Sequence, residues 1–354
     1  QRYDAALQAL EQGARMWPIA PTVESLMAQQ HRMGSVSAIV DTRLIQAQQA
    51  TNAAQRRAAL EAAEQAIARL EQLAPGATAA IQLHHGHLAL ARNRQAKAIK
   101  HLQEANRLFN RRNPQTLRLL ARAHEESGNV GAAANAIEQL RKLAGNDLQV
   151  AYQLARLRLR ENQLEEAASL IESLRNRAPD SPQIAVLHSG LIVAQAREDD
   201  EQSRREAIDR AVALLEPLRD TNDKSLVQQL ARFYQVRGEL EKARSLLEDY
   251  QQANPGDREV AQQLVGLDRA LGDTDAAVAR LEAIRDPQAS DAENMSLDMM
   301  ISSIQGASNE QRLAQVEQVI RSNEDPVRRQ LGLWQLYRMR AQISDDPQAR
   351  AGFE

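Results

Sequence analysis

The densest run of chemically capable side chains in the sequence is His84-His85-Gly86-His87. On a helix, His84 and His87 would share a face, and two imidazoles three residues apart can chelate a metal. No Asp or Glu lies close by in sequence to complete a ligand set. His84 and His87 therefore stand either as candidate metal ligands or as polar lining of a groove, and no metal or cofactor is expected. His85 is expected to turn toward a packed face. Nucleophilic chemistry has less support. There is no Gly-x-Ser-x-Gly elbow, and His188-Ser189-Gly190 falls within a helical segment, where the hydroxyl can bond to a backbone carbonyl. The paired acids Glu125-Glu126, Glu165-Glu166 and Asp199-Asp200 suit solvated helix faces. Gly256-Asp257-Arg258 and Gly272-Asp273-Thr274 read as helix junctions rather than phosphate-binding loops. With no cysteine among 354 residues, disulfides, thiolate zinc sites and Cys nucleophiles are excluded together. The catalytic checklist leaves no active site, so the chain is expected not to be an enzyme.

The arginines are more informative. Of 44 basic residues only five are lysines, and 47 acidic residues bring the formal net charge to −3. That balance argues against a sequence-independent grip on nucleic acid, which needs a net basic surface. No apolar run approaches the ~20 residues of a membrane-spanning helix, so no membrane insertion by this segment is expected. The opening residues lack the basic-then-apolar pattern of a signal peptide. A chain without thiols is compatible with cytosol and periplasm alike, which leaves the compartment open.

The elements that must position these side chains are helices. Ala, Leu, Gln, Arg and Glu dominate, whereas β-branched and aromatic residues are thin, the latter at 3%. Pro18, Pro75, Pro114, Pro179, Pro255, Pro287 and Pro326 each fall between apolar-periodic segments of helical length. The segments repeat. Ala121, Ala133, Ile137 and Leu140 recur 34 residues later as Ala155, Ala167, Ile171 and Leu174, with Gly128 replaced by Asn162 at the turn. The pattern returns as Ala231, Gly238, Ala243, Leu247 and Tyr250, and again as Val265, Gly272, Ala277, Leu281 and Ile284.

A 34-residue period made of two helices resembles the tetratricopeptide-repeat (TPR) family, in a degenerate, bacterial-type array covering nearly the whole chain. Leu230-Ala231, Tyr234, Gly238, Ala243, Leu247, Tyr250 and Pro255 form the best single match. The early Trp of each first helix is missing, and Gly86 is the one clear glycine at the small first-helix site. The fold expected is all-α, a right-handed α-α superhelical solenoid of about nine TPR-like helix pairs, continuous over residues 1–354. Within it, 1–18 is a partial repeat and 20–112 holds irregular longer helices. Regular repeats occupy 113–289, with an insert near 197–205, and 290–354 is degenerate and truncated. Both ends cut into repeats, so a piece of a longer chain or complex is expected.

The resemblance implies that first helices line a concave groove that holds protein segments. It places Arg118, Arg122, Arg156, Arg160, Arg232 and Arg269 there, with Gln149, Gln153, Gln228 and Gln262 as amide donors and Tyr152 as an aromatic contact. Arg122 and Arg156 are one repeat apart. Guanidinium forks clamp carboxylates, so the expected partner is a protein or peptide, acidic or extended. The clamp by which some TPR domains hold acidic tails uses mainly Lys and Asn, which these positions lack. The same arginines can instead pair with Glu125, Glu126 and Glu161. Met295, Met299 and Met300 suit either an adaptable contact surface or degenerate core. Trp334 and Tyr337 are expected to pack on a following repeat. A non-catalytic protein-interaction scaffold is the expected function. The alternatives are a periplasmic scaffold of a bacterial polysaccharide-export or envelope-assembly system, or the regulatory TPR part of a larger enzyme.

Overall fold

The computed structural model describes residues 2–15, 23–50, 52–196, 200–285, 291–306 and 325–343, with single positions between 314 and 321. Among the described residues there is helix and no strand. Contacts group the chain into two compact units, Gln1–Gln195 and Ala196–Glu354. The division falls just before the insert expected near 197–205. Residues 197–199 lie outside the described residues, and Glu201–Arg205 open a helix.

The first unit holds α1 (Arg2–Arg15), α2 (Val23–Gln49), α3 (Ala53–Leu73), α4 (Thr78–Ala91) and α5 (Gln95–Leu108). It continues with α6 (Pro114–Glu126), α7 (Val130–Ala144), α8 (Leu148–Arg160), α9 (Leu164–Arg177) and α10 (Pro182–Ala194). The second unit holds α11 (Glu201–Leu215), a 3-10 segment (Glu216–Thr221), α12 (Lys224–Val236), α13 (Leu240–Ala253) and α14 (Arg258–Leu271). After these come α15 (Thr274–Ala283), α16 (Asp291–Ile304) and α17 (Pro326–Ile343). Within the 20–112 region of expected longer helices, the long ones are α2 and α3.

Five of the turns between paired helices are built the same way. Gly128, Asn162, Gly238 and Gly272 take positive φ, between 58° and 79°, and Asn93 does so at 55°. Glycine and asparagine tolerate this left-handed conformation best. The chain then folds back far enough for an amide beyond the helix to reach the carbonyl five residues earlier. Asn129 N–H donates to His124 O, Gln163 to Arg158 and Glu239 to Tyr234, at 2.8–2.9 Å. These bonds satisfy carbonyls that the helix end leaves open. Next, a side chain starts the following helix: Asn113, Asn129, Asp147, Asp223, Asp257 and Asp273 accept backbone N–H bonds as N-caps.

The repeating small residues lie where two helices approach closely. Ala121 and Ala133, Ala155 and Ala167, and Ala231 and Ala243 are all buried. Gly86 shows the constraint at its tightest. A Cβ added there would lie 2.5 Å from Leu102 Cγ, so α4 packs on α5 through bare backbone. Around these contacts Leu102, Leu117, Leu140, Ile171 and Leu174 are fully enclosed. Each contributes about 1.5–3 kcal/mol of transfer free energy. The core is thus a string of local clusters rather than one centre.

Candidate functional site: the inner wall of the first unit

First helices of neighbouring pairs in the first unit pack on one another: α2 on α4, α4 on α6, and α8 on α10. Side chains link α6 to α8. Arg156 Nη2 donates to both oxygens of Glu125, at 2.8 and 2.9 Å, and Arg160 Nη1 donates to Oε1 at 2.6 Å. These first helices therefore form one wall, on which the expected site residues can be placed.

Arg122 sits on this wall and is turned to Glu126, its Nε 2.7 Å from the carboxylate. Arg118 and Gln149 are exposed and Gln153 is half-buried. Four guanidiniums, those of Arg118, Arg122, Arg156 and Arg160, thus share α6 and α8 with the carboxylates of Glu125 and Glu126. Arg156 Nε is buried without a hydrogen-bond partner. Tyr152 is half-buried and packs against the α8–α10 core. Of the acids named as alternative partners, Glu161 is used by Arg158 at 2.9 Å, so it does not neutralise the strip.

The remaining candidates belong to the second unit. Gln228 donates to Glu259 at 3.1 Å. Its neighbour Lys224 holds Asp257 and Glu259 at 2.9 and 2.7 Å, and those bonds push its pKa up. Arg232, Gln262 and Arg269 are exposed. Arg232 and Arg269 make no ion pair among the described residues. In the same unit Met299 packs with Ile320 and Leu336, Met300 is exposed, and the side chain of Met295 lies outside the described residues. Tyr337 turns back to hydrogen-bond Glu317 at 3.3 Å, while Trp334 is half exposed.

His84 and His87 do share a face of α4, the one turned toward Asp41 of α2. His84 is almost fully buried and His87 nearly so. The acid that sequence proximity fails to supply comes from α2: Asp41 Oδ1 lies 3.7 Å from His84 Nδ1 and 3.9 Å from His87 Nδ1. Both separations exceed a hydrogen bond, and all three atoms are buried without a hydrogen-bond partner. Gln115, from α6, hydrogen-bonds the Asp41 carboxyl. Burial pushes the Asp41 pKa up. Burial also pushes both imidazoles down to about 4, helped at His84 by the neighbouring His87 and at His87 by Arg122. Asp41 is the residue that sequence reasoning missed. It lies in the irregular region, where no 34-residue period relates it to His84. Among the described residues no group of three or more His, Asp or Glu could hold a metal ion. His85 faces the other way, bonded to Glu71 at 2.8 Å and stacked on His101. Ser189 is buried and its hydroxyl donates to Val186 O at 2.7 Å, an ordinary helix bond.

Paired helices, left-handed turns at fixed spacing and small-on-small contacts define an all-α superhelical repeat protein. Comparison with known proteins gives the family. A tetratricopeptide-repeat model matches residues 126–191, spanning the end of α6 through α10. Residues 126–191 are thus similar to the tetratricopeptide-repeat family. A tetratricopeptide-repeat protein from Parabacteroides merdae is 12% identical with a TM-score of 0.50, over 76% of this chain and 99% of that one. Yeast Tom70 is 16% identical with the same TM-score, over 92% of this chain and 66% of that one. A thermophilic TPR protein of Thermus thermophilus is 21% identical over 55% of this chain and 99% of that one, with a TM-score of 0.45. At these identities the likeness is one of fold. No curated protein sequence matches the chain. The repeats are of a generally non-catalytic kind that serves as a protein-interaction scaffold, so protein partners are implied. No described helix is long and apolar enough to cross a membrane.

Proposed function

We propose that the chain is a non-catalytic scaffold whose α6–α8 inner wall holds an extended, acidic segment of a partner protein. One observation carries this reading: Arg122, Arg156 and Arg160 on adjacent first helices already bind carboxylates, those of Glu126 and Glu125, in direct guanidinium contacts. The internal acids act as placeholders. A partner carboxylate exchanges for them, which keeps the guanidiniums oriented in the free protein and lowers the ordering cost of binding. Arg118, exposed one turn from Arg122, extends the strip.

The test is the affinity of a fluorescein-labelled oligoglutamate peptide, measured by anisotropy across a salt series. The double variant Arg122→Ala/Arg156→Ala is expected to bind more weakly and to flatten the salt dependence. Glu125→Gln, which frees Arg156 and Arg160, is expected to bind more tightly. Unchanged affinity in the double variant overturns the reading.

A further inference from the structure

We propose that Asp41, His84 and His87 form a subsite for a primary ammonium group, the lysine side chain of the segment held along the same wall. The inference deepens the groove reading and rests on it for the identity of the ligand chain, but its chemistry stands on its own geometry. Three polar atoms from two helices converge with no hydrogen-bond partner: Asp41 Oδ1, His84 Nδ1 and His87 Nδ1. Unpaired buried polar atoms are costly and therefore rare. Here they occur together between α2 and α4, beside an Asp41 side chain that is 38% exposed.

The number and kind of atoms select the ligand. Both imidazoles are neutral at pH 7, with pKa values of about 4, so in the Nε2–H tautomer each Nδ1 is an acceptor. With Asp41 Oδ1 they make three acceptors, one of them charged. An ammonium group brings three donors, no acceptor and one positive charge. Separations of 3.7 and 3.9 Å allow a nitrogen to sit about 2.8–2.9 Å from Asp41 Oδ1 and from the imidazole Nδ1 paired with it. The surrounding charges agree with this choice. Gln115 is occupied with the Asp41 carboxyl, and Arg122, the cation nearest His87, is held by Glu126. A bound ammonium would supply the charge that the buried Asp41 carboxylate lacks.

The wall is then bipolar, with an acceptor subsite on α2–α4 and guanidiniums on α6–α8. Packed helices lie about 8–10 Å apart, and an extended chain advances about 3.3 Å per residue. A ligand would carry its lysine roughly three to six residues from its acidic side chains.

The test uses the full chain with ¹⁵N-labelled histidine and n-butylammonium as a lysine side-chain probe. Neutral n-butanol, zinc ion and guanidinium serve as comparisons. Expected are saturable side-chain ¹⁵N shifts at His84 and His87, assigned through His84→Gln and His87→Gln, with Nδ1 remaining unprotonated. His101 and His188 should be unaffected. Butanol should do nothing, and Asp41→Asn should weaken the response about tenfold. No saturable shift, an equal response to butanol, an equal response in Asp41→Asn, or tighter capture of zinc or guanidinium at the same signals would overturn the subsite. The wild-type contrast between butylammonium and butanol decides regardless of how Asp41→Asn folds. If this test fails while oligoglutamate binding still depends on Arg122 and Arg156, only the ammonium subsite falls. The converse result removes the acidic groove and leaves the subsite.

Discussion

Each unit contains a carboxylate drawn in among packed helices, and the two are compensated in opposite ways. Asp268, on α14, is completely buried, with Arg280 Nε of α15 at 2.6 Å from Oδ2 and Arg244 of α13 at 3.7 Å from Oδ1. Arg280 also holds Glu248, so three successive helices are tied through one guanidinium. Burial works against the charge on Arg280, but Asp268 and Glu248 outweigh it and hold its pKa up. Asp41 has instead two neutral imidazoles that it does not reach, the Gln115 side chain, and partial exposure to solvent. A buried charge with its counter-charge in place fastens the fold. One flanked by unpartnered imidazole acceptors is, on the subsite proposal, open to a group that the chain does not itself provide.

Breaking the Asp268 site should give the largest effect. Arg280→Ala leaves the Asp268 carboxylate buried with only the distant Arg244, and should cost about 3–5 kcal/mol. The loss should appear as faster amide exchange over α13–α15, which suits a repeat array better than a single melting temperature.

Acid should act on the other site. His84 and His87 have folded pKa values near 4 against an unfolded value of 6.5, so the unfolded chain binds more protons between those limits. Stability from the neutral imidazoles is therefore intact above pH 6.5 and lost as pH falls from there toward 4. Asp41, whose pKa is raised, opposes this at the acid end, because its protonation favours the folded state. A net loss of stability is expected, with Asp41 offsetting part of the imidazole contribution. Exchange over α2–α4 should rise with acid, and His84→Gln/His87→Gln should flatten the profile.

Gly86→Ala tests whether backbone packing sets the position of that site. The new Cβ meets Leu102 side-chain atoms at 2.5 and 2.7 Å. Pushing α4 off α5 should cost about 1–3 kcal/mol and shift the His84 and His87 side-chain signals. The smallest effect should come from Asp41→Asn. Removing a desolvated charge while keeping an acceptor for Gln115 should leave stability within about 1 kcal/mol of wild type, on the stabilising side. A loss comparable to that of Arg280→Ala, read by urea titration at pH 7, would erase the distinction between the two sites.

The fold was legible because its determinants recur at short range. Gly128, Asn162, Gly238 and Gly272 mark turns whose geometry demands them, Asp147 and Asp257 start helices, and paired alanines set helix separation. The arginine strip was half legible. The 34-residue spacing of Arg122 and Arg156 puts them on adjacent first helices, and Glu125 and Glu126 stood among the possible partners. Which acid each arginine takes depends on side-chain reach between α6 and α8, and the period does not encode that. The Asp41 site was not legible. His84 and His87 stand together in the sequence, but Asp41 joins them from α2, where a long helix breaks the repeat and no period relates the two. Tyr152 looked like a groove aromatic by position, yet packing against the α8–α10 core claims much of its surface.

The inner wall as the binding surface is tested most directly by affinity capture with the intact protein, comparing three forms under identical salt. These are wild type, Arg122→Ala/Arg156→Ala, and a control altered on the exposed end of α7, Arg141→Ala/Lys142→Ala. The account predicts that proteins retained by wild type are lost from the inner-wall variant and kept by the α7 control. Retention by the inner-wall variant, or loss through the α7 control instead, would contradict it.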